Sequence, residues 1–75
     1  METIGFDELK ENDGKNITVF RKIKNKHYGL KGIMQYQIIE GRDLFMVDTG
    51  DDSCFLKTGD VIELGSRKYQ VDLPK

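Results

Sequence analysis

The chain has few of the residues and segments that staple or anchor small proteins: it holds one cysteine, one proline and no tryptophan in 75 residues. Its single cysteine, Cys54, cannot form an internal disulfide, and a small domain without disulfides is typical of the reducing cytoplasm. No apolar run approaches the roughly 20 residues of a membrane-spanning helix, and the N-terminus lacks the features of a secretory signal. We therefore predict a cytoplasmic protein outside the membrane, with one small domain over residues 1–75.

Charge is distributed unevenly along the chain, although the formal net charge is only −1. Residues 1–13 hold five acids and one base, residues 14–39 hold six bases and no acid, and residues 40–75 hold eight acids and five bases. Such segregation predicts a positive face on a nearly neutral molecule. The alternative is a solvated hairpin whose lysines pair with acids on neighbouring strands, and the sequence leaves both interpretations open.

The segment Tyr28–Ile39 organises the predicted fold. Its alternate positions from Tyr28 to Ile38 are apolar residues or glycine, which is the pattern of a strand with one buried face. It is longer than the usual strand of about 5–6 residues. Gly29 and Gly32 therefore mark the positions where one long strand could bend and serve two parts of a small barrel.

Shorter predicted elements surround this strand, because alternating apolar positions are separated by residues that favour turns. The predicted helix is Ile4–Asn12, and the other predicted strands are Asn16–Ile23, Leu44–Asp48, Cys54–Lys57, Val61–Leu64 and Lys68–Leu73. Short strands at regular spacing predict a mainly all-β fold with a short N-terminal helix. We expect a five- to six-stranded SH3/Sm-like barrel or a rolled antiparallel sheet.

Short motifs in this order resemble the Sm-like barrel family, including its bacterial RNA-chaperone branch. Gly14–Phe20 is similar to the opening strand of that family, Leu30–Ile33 to its apolar-basic-Gly-apolar step, and Phe55–Ile62 to its closing motif with one residue inserted. The resemblance spans about residues 6–64 and implies a small barrel that binds RNA. The family's RNA pocket contains an asparagine that Arg42–Met46 lacks, so the resemblance implies the topology more than the RNA binding.

One motif is similar to the signature of a class of enzymes. Asp48-Thr49-Gly50 follows two apolar residues, as in the active sites of aspartic proteases, where two carboxylates share a proton. Those enzymes also need a flap hairpin and a second buried segment, and the twenty-five residues after Gly50 are too few for both. The tripeptide is also an ordinary end of a strand entering a turn. The sequence therefore predicts no protease.

Other chemistry-bearing residues stand without the partners that a site requires. His27 has no second histidine or cysteine at metal-ligand spacing, and Cys54 has no histidine that would activate it as a nucleophile. Asp48, Asp51 and Asp52 lack the ligand spacing of a calcium loop and its distal glutamate. We predict no enzyme, no cofactor, no metal site and no small-molecule substrate.

The first function that remains is protein binding. A non-enzymatic adaptor or inhibitor of the accessory or phage type would present its charged surface or a sheet edge to a partner. Its candidate residues form an acidic turn of Asp48, Asp51 and Asp52. We favour this function because the net charge of the chain is not basic.

The alternative function is binding of single-stranded nucleic acid, RNA included, through the basic segment 21–31. Cationic side chains neutralise phosphates, and an exposed aromatic ring can stack on a base. The candidate residues are Arg21, Lys22, Lys24, Lys26, His27, Tyr28 and Lys31. The oligomeric state stays open, because assembly into a homo-oligomer would let so small a domain bury more surface.

Overall fold

A computed structural model describes residues 1–74, and these residues form seven strands and one short helix. In chain order the elements are β1 (Glu2–Ile4), α1 (Phe6–Glu11), β2 (Asn16–Ile23), β3 (Lys26–Ile39), β4 (Arg42–Asp48), β5 (Ser53–Phe55), β6 (Val61–Leu64) and β7 (Arg67–Val71). The predicted all-β class is confirmed.

The strands form one sheet in the order β1-β7-β6-β2-β3-β4-β5. Neighbouring strands are antiparallel, except that β1 runs parallel to β7. Within residues 1–74 the sheet is not closed, so the predicted barrel is not confirmed. The predicted count of five or six strands omits β1: Ile4 falls in the predicted helix but pairs with Val71, and the helix begins only at Phe6. The predicted strand Cys54–Lys57 is shorter and begins one residue earlier.

A single cluster of buried apolar side chains lies on the inner face of the sheet. β2 contributes alternate residues, Ile17 and Val19, because successive side chains of a strand point to opposite faces. The ring of Phe6 from α1 packs edge-on against Tyr36 and Phe45, with ring centroids 5.8 and 5.5 Å apart. The buried members are Ile4, Leu9, Ile17, Val19, Met34, Phe45, Val47, Leu56, Ile62 and Val71.

The long strand β3 pairs with two different strands, as the sequence predicts. Residues 26–33 pair with β2, and residues 33–39 pair with β4. β3 passes from one partner to the other beside Gly32, where a Cβ atom would lie 2.4 Å from the carbonyl oxygen of Asp48. No other residue fits at this position unless the backbone of β4 moves.

The predicted apolar stripe of β3 is buried only in its middle. Met34 is fully buried, and Leu30 and Tyr36 pack against the core as half-buried residues. Tyr28 and Ile38 at the two ends are 51% and 66% exposed. Both ends of the strand therefore extend past the core.

Both hairpins of β3 have two-residue turns. Lys24 and Asn25 have φ values of 50° and 67°, and Glu40 and Gly41 have φ values of 51° and 75°. A positive φ at both turn residues is the type I′ geometry, whose twist matches that of the strands. Because such a tight turn sets the register of its hairpin, the face on which each residue of β2 and β3 lies is also set.

Candidate functional site

The predicted basic segment forms the distal half of the β2–β3 hairpin. Residues opposite one another in an antiparallel pair share a face, so Lys22 lies beside His27 on the outer face, and Arg21 beside Tyr28 on the inner face. Lys24 is in the turn, where no strand face is defined. The segment therefore divides its predicted site residues between two faces instead of bringing them onto one surface.

Arg21 is bound to other parts of the fold. Its Nε and Nη2 atoms donate to the carboxylate of Asp60 at 2.9 and 2.7 Å, and Nη2 also donates to the carbonyl of Phe55 at 2.8 Å. The Asp60 side chain is only 6% exposed, and its carboxylate also accepts from the backbone N–H of Lys57 at 2.8 Å. The hydrogen bonds that Arg21 donates to the Asp60 carboxylate raise the pKa of Arg21 above its usual value. Arg21 thus ties β2 to β5 and to the turn before β6, and we exclude it from a binding surface.

The other basic residues of the segment are available to a partner. All are exposed, and within residues 1–74 none forms an ion pair within 4.0 Å. The alternative of a hairpin whose lysines are paired with acids on neighbouring strands is therefore wrong for these residues. They are Lys22, Lys24, Lys26, His27 and Lys31.

Phe20 is the aromatic residue that shares the outer face with Lys22. The side chain of Phe20 is 36% exposed, and its ring lies against Gly29, where a Cβ atom would be 3.8 Å away. The Nζ atom of Lys68, on β7, lies 5.0 Å from the centroid of the same ring. The alternation of β2 alone places Phe20 and Lys22 on one face, but the approach of Lys68 depends on the tertiary fold.

The edge of β3 that faces away from β2 has no partner strand in its first half, because β4 begins to pair with β3 only at Ile33. Backbone N–H and C=O groups point alternately to the two sides of a strand. Met34 exchanges hydrogen bonds with Lys15 and Gly14, which precede β2, at 2.9 and 2.7 Å. The backbone N–H and C=O groups of even-numbered residues of β3 therefore point toward β2, and those of odd-numbered residues point to the opposite side.

The backbone N–H and C=O groups of His27, Gly29 and Lys31 consequently point to the side of β3 that has no partner strand, the open side. No hydrogen bond from these backbone groups is found within residues 1–74. We call the backbone of these three residues the free edge. In the second half of β3 the side toward β2 is partly covered, since the Asp13 carboxylate accepts from the N–H of Tyr36 at 2.8 Å. The outermost strands, β1 and β5, are only three residues long, which limits pairing with another chain.

The acidic turn is organised by its own hydrogen bonds. The Asp48 carboxylate accepts from the backbone N–H of Gly50, and the Asp52 carboxylate from that of Ser53, both at 2.8 Å. Asp51 is exposed. Side chains that bond to nearby backbone are the usual chemistry of turns. No group of three or more His, Cys, Asp or Glu residues that could hold a metal ion occurs in the described part of the chain.

Cys54 lies on the inner face of β5, opposite Val47, and is half-buried. Burial raises the pKa of its thiol. Because the thiolate is the nucleophilic form, a raised pKa lowers the reactivity of this residue at neutral pH.

No protein-family model, curated protein or solved structure matches this chain. The resemblance to Sm-like barrels therefore stays a prediction. No helix within residues 1–74 has the length and apolar character needed to cross a membrane.

Proposed function

We propose that this chain is a non-enzymatic protein-binding module that pairs its free edge with an extended segment of a partner protein. The observation that carries the proposal is the row of backbone groups at His27, Gly29 and Lys31, which face away from β2 without a partner in residues 1–74. Extended peptides bind to such edges by adding a strand: main-chain hydrogen bonds provide affinity, and alternate side chains provide specificity.

A second copy of the chain is a poor partner for this edge. Two free edges related by a twofold axis at Gly29 would place His27 of one copy opposite Lys31 of the other, by the register of an antiparallel pair. This pairing brings the lysines of the two edges together, and lysines on an edge discourage self-association. We therefore propose a partner with a different sequence.

The proposal is tested with two substitutions of the same residue. Gly29→Pro removes an N–H from the free edge. It leaves the hydrogen bonds between β2 and β3 in place, because the N–H of Gly29 points away from β2. Gly29→Ala keeps that N–H and adds a methyl group in ordinary contact with Phe20, at 3.8 Å. Circular dichroism would verify that both variants fold.

The three proteins would be immobilised and exposed to an extract of the source cells, with bound proteins quantified by mass spectrometry. We expect a partner that wild type and Gly29→Ala retain equally, and that Gly29→Pro retains about tenfold less, because one main-chain hydrogen bond is lost and its acceptor is left unsatisfied. Equal retention by all three proteins would contradict strand addition.

Single-stranded nucleic acid is the second candidate ligand, and the exposed ring of Phe20 among Lys22, Lys31 and Lys68 favours it. A base stacked on an aromatic ring contributes about 1–3 kcal/mol. Phe20→Ala should then weaken binding of an oligo(dT) of about 15 nucleotides roughly tenfold, and Lys22→Ala should flatten its salt dependence. Gly29→Pro should leave this binding unchanged, so the two candidates can be told apart. Failure to bind the oligonucleotide at low salt would remove the second candidate.

The cytoplasm is the compartment in which we propose that the protein acts, as an accessory or phage-type protein without catalysis. The half-buried and unpaired thiol of Cys54 supports a reducing environment. An SH3/Sm-like topology is part of the same proposal, supported by the short N-terminal helix and the strand β3 that two parts of the sheet share. Fractionation of the source cells would test the compartment, and recovery of the chain with secreted proteins would contradict it.

A further inference from the structure

We infer that the free edge selects partner segments in which an aromatic residue is followed by an apolar and then an acidic residue. This inference rests on the proposed strand addition and adds the chemistry of the partner. It follows from the side chains beside the free edge and from one position, Gly29, that has none.

The direction and register of the added strand come from the sheet itself. β4 occupies the continuation of the same edge and is antiparallel to β3, and antiparallel pairing is slightly more stable per residue. Consider a partner strand that continues the line of β4. Those of its residues that lie opposite His27, Gly29 and Lys31 have their side chains on the outer face. Its residues opposite Tyr28 and Leu30 lie on the inner face.

Gly29 has no side chain on the outer face, so only the ring of Phe20 covers this position beside the free edge. The ring of Phe20 approaches Gly29 from the β2 side, 3.8 Å from the position of a Cβ atom, and remains 36% exposed. Aromatic residues placed across from edge glycines cover the glycine backbone, and Phe20 does so here from the β2 side. Because no side chain of Gly29 stands between them, an aromatic residue of the partner opposite Gly29 would contact the exposed part of the Phe20 ring.

The next residue of the partner lies on the inner face, opposite Tyr28. The side chain of Tyr28 is 51% exposed and extends past the core. An aromatic ring that is half open to water offers apolar surface to a branched aliphatic side chain, and such cross-strand pairs stabilise sheets. An apolar residue therefore fits this position.

The position after that lies opposite His27, among cationic side chains. Lys22 is directly across from His27 on β2, Lys24 lies in the turn, and Lys26, which pairs with Ile23, lies on the inner face. None of them forms an ion pair in residues 1–74. A carboxylate at this position gains favourable interactions with the exposed cation of Lys22 on the same face and with that of Lys24 in the turn. At the other end of the free edge Asp48 ends β4, in line with the added strand, so an acid opposite Lys31 gains less.

The test uses a fluorescent peptide, Ser-Thr-Val-Phe-Val-Glu-Ser, and measures its dissociation constant by anisotropy. One control peptide replaces Phe with Ala, and another replaces Glu with Lys. Each replacement should weaken binding to the wild-type protein about tenfold, because it removes an aromatic contact or reverses a cross-strand charge. The variant Lys22→Glu, which changes an exposed side chain, should weaken binding of the Glu peptide and strengthen that of the Lys peptide.

The outcomes separate strand addition from the inferred preference for a partner sequence. If Gly29→Pro weakens binding of all three peptides but the wild type binds them equally, strand addition stands and the inferred preference is overturned. If the preference for Glu persists in Gly29→Pro at full affinity, strand addition itself is overturned. If no peptide binds while oligo(dT) binds wild type and Gly29→Pro equally, both are overturned in favour of nucleic acid.

Discussion

The substitution Gly32→Ala tests the crossing point of β3, on which the existence of the free edge depends. A Cβ atom at this position would lie 2.4 Å from the carbonyl oxygen of Asp48, 2.7 Å from its carbonyl carbon and 3.1 Å from the nitrogen of Thr49. All three obstacles are backbone atoms at the end of β4, next to its last pair with Ile33. They cannot rotate away as a flexible side chain could.

The expected loss of stability follows from that overlap. Ordinary contact begins at 3.4 Å, so the backbone of β4 must move by about 1 Å, and overpacking of this kind costs about 1–3 kcal/mol, occasionally more. We expect about 3 kcal/mol, at the upper end, because the obstacle is backbone. A chain of this length has a total stability of about 4–11 kcal/mol, so the melting temperature should fall by about 12–24 °C.

Urea and thermal denaturation followed by circular dichroism would measure this change, with Gly29→Ala as the matched control. The added methyl group at Gly29 meets only the ring of Phe20, at 3.8 Å, so its effect on the free energy of unfolding should stay within about 0.5 kcal/mol. If Gly32→Ala were as stable as wild type, or if both variants lost the same amount, β3 would not pass β4 at this distance.

Three further predictions concern groups outside the free edge. Asp60→Ala should lower the free energy of unfolding, measured in urea titrations, by about 2–4 kcal/mol, because it leaves the Arg21 guanidinium without its carboxylate partner. Water at the partly exposed guanidinium limits the loss, and an unchanged urea midpoint would refute this prediction. The thiol of Cys54 should react with a disulfide reagent more slowly in the folded than in the unfolded chain. Folding raises the pKa of the Cys54 thiol, so the thiol stabilises the fold below its unfolded pKa, and this stabilisation is lost as pH rises through its folded pKa. The urea midpoint should therefore fall above about pH 9, and the midpoint of Cys54→Ala should fall less. The hydrogen bond to Asp43 raises the pKa of Tyr36, so Asp43→Asn should lower that pKa in an NMR titration of the ring, and an unchanged value would count against the bond.

Apolar alternation was sufficient to predict most strands. β2 has the predicted bounds Asn16–Ile23, because its apolar residues repeat every second position between two clear turns. β3 begins two residues earlier than predicted, since Lys26 pairs with Ile23 across a two-residue turn despite its charge. β1 was not predictable from its own residues: three residues carry little periodicity, and Ile4 is held in a strand by Val71, which lies far away in the chain.

The candidate site was predictable only in part. The sequence indicates which side chains near the hairpin are cationic, but not that Arg21 is bound by Asp60, 39 residues further along the chain. Tyr28, a predicted site residue, lies on the inner face, and the register of the hairpin instead places Phe20 on the outer face with Lys22 and His27. The free edge depends on where β4 begins to pair relative to β2, which is a property of the tertiary fold and has no local signal.

Amide hydrogen exchange along β3, measured residue by residue by NMR, tests the free edge most directly. Amides that face β2 are hydrogen-bonded and should be protected, whereas amides on the open side should exchange freely. We therefore expect slow exchange at Tyr28 and Leu30 and fast exchange at His27, Gly29 and Lys31. Protection at all five amides would mean that the open side is already occupied, and it would contradict the existence of the free edge.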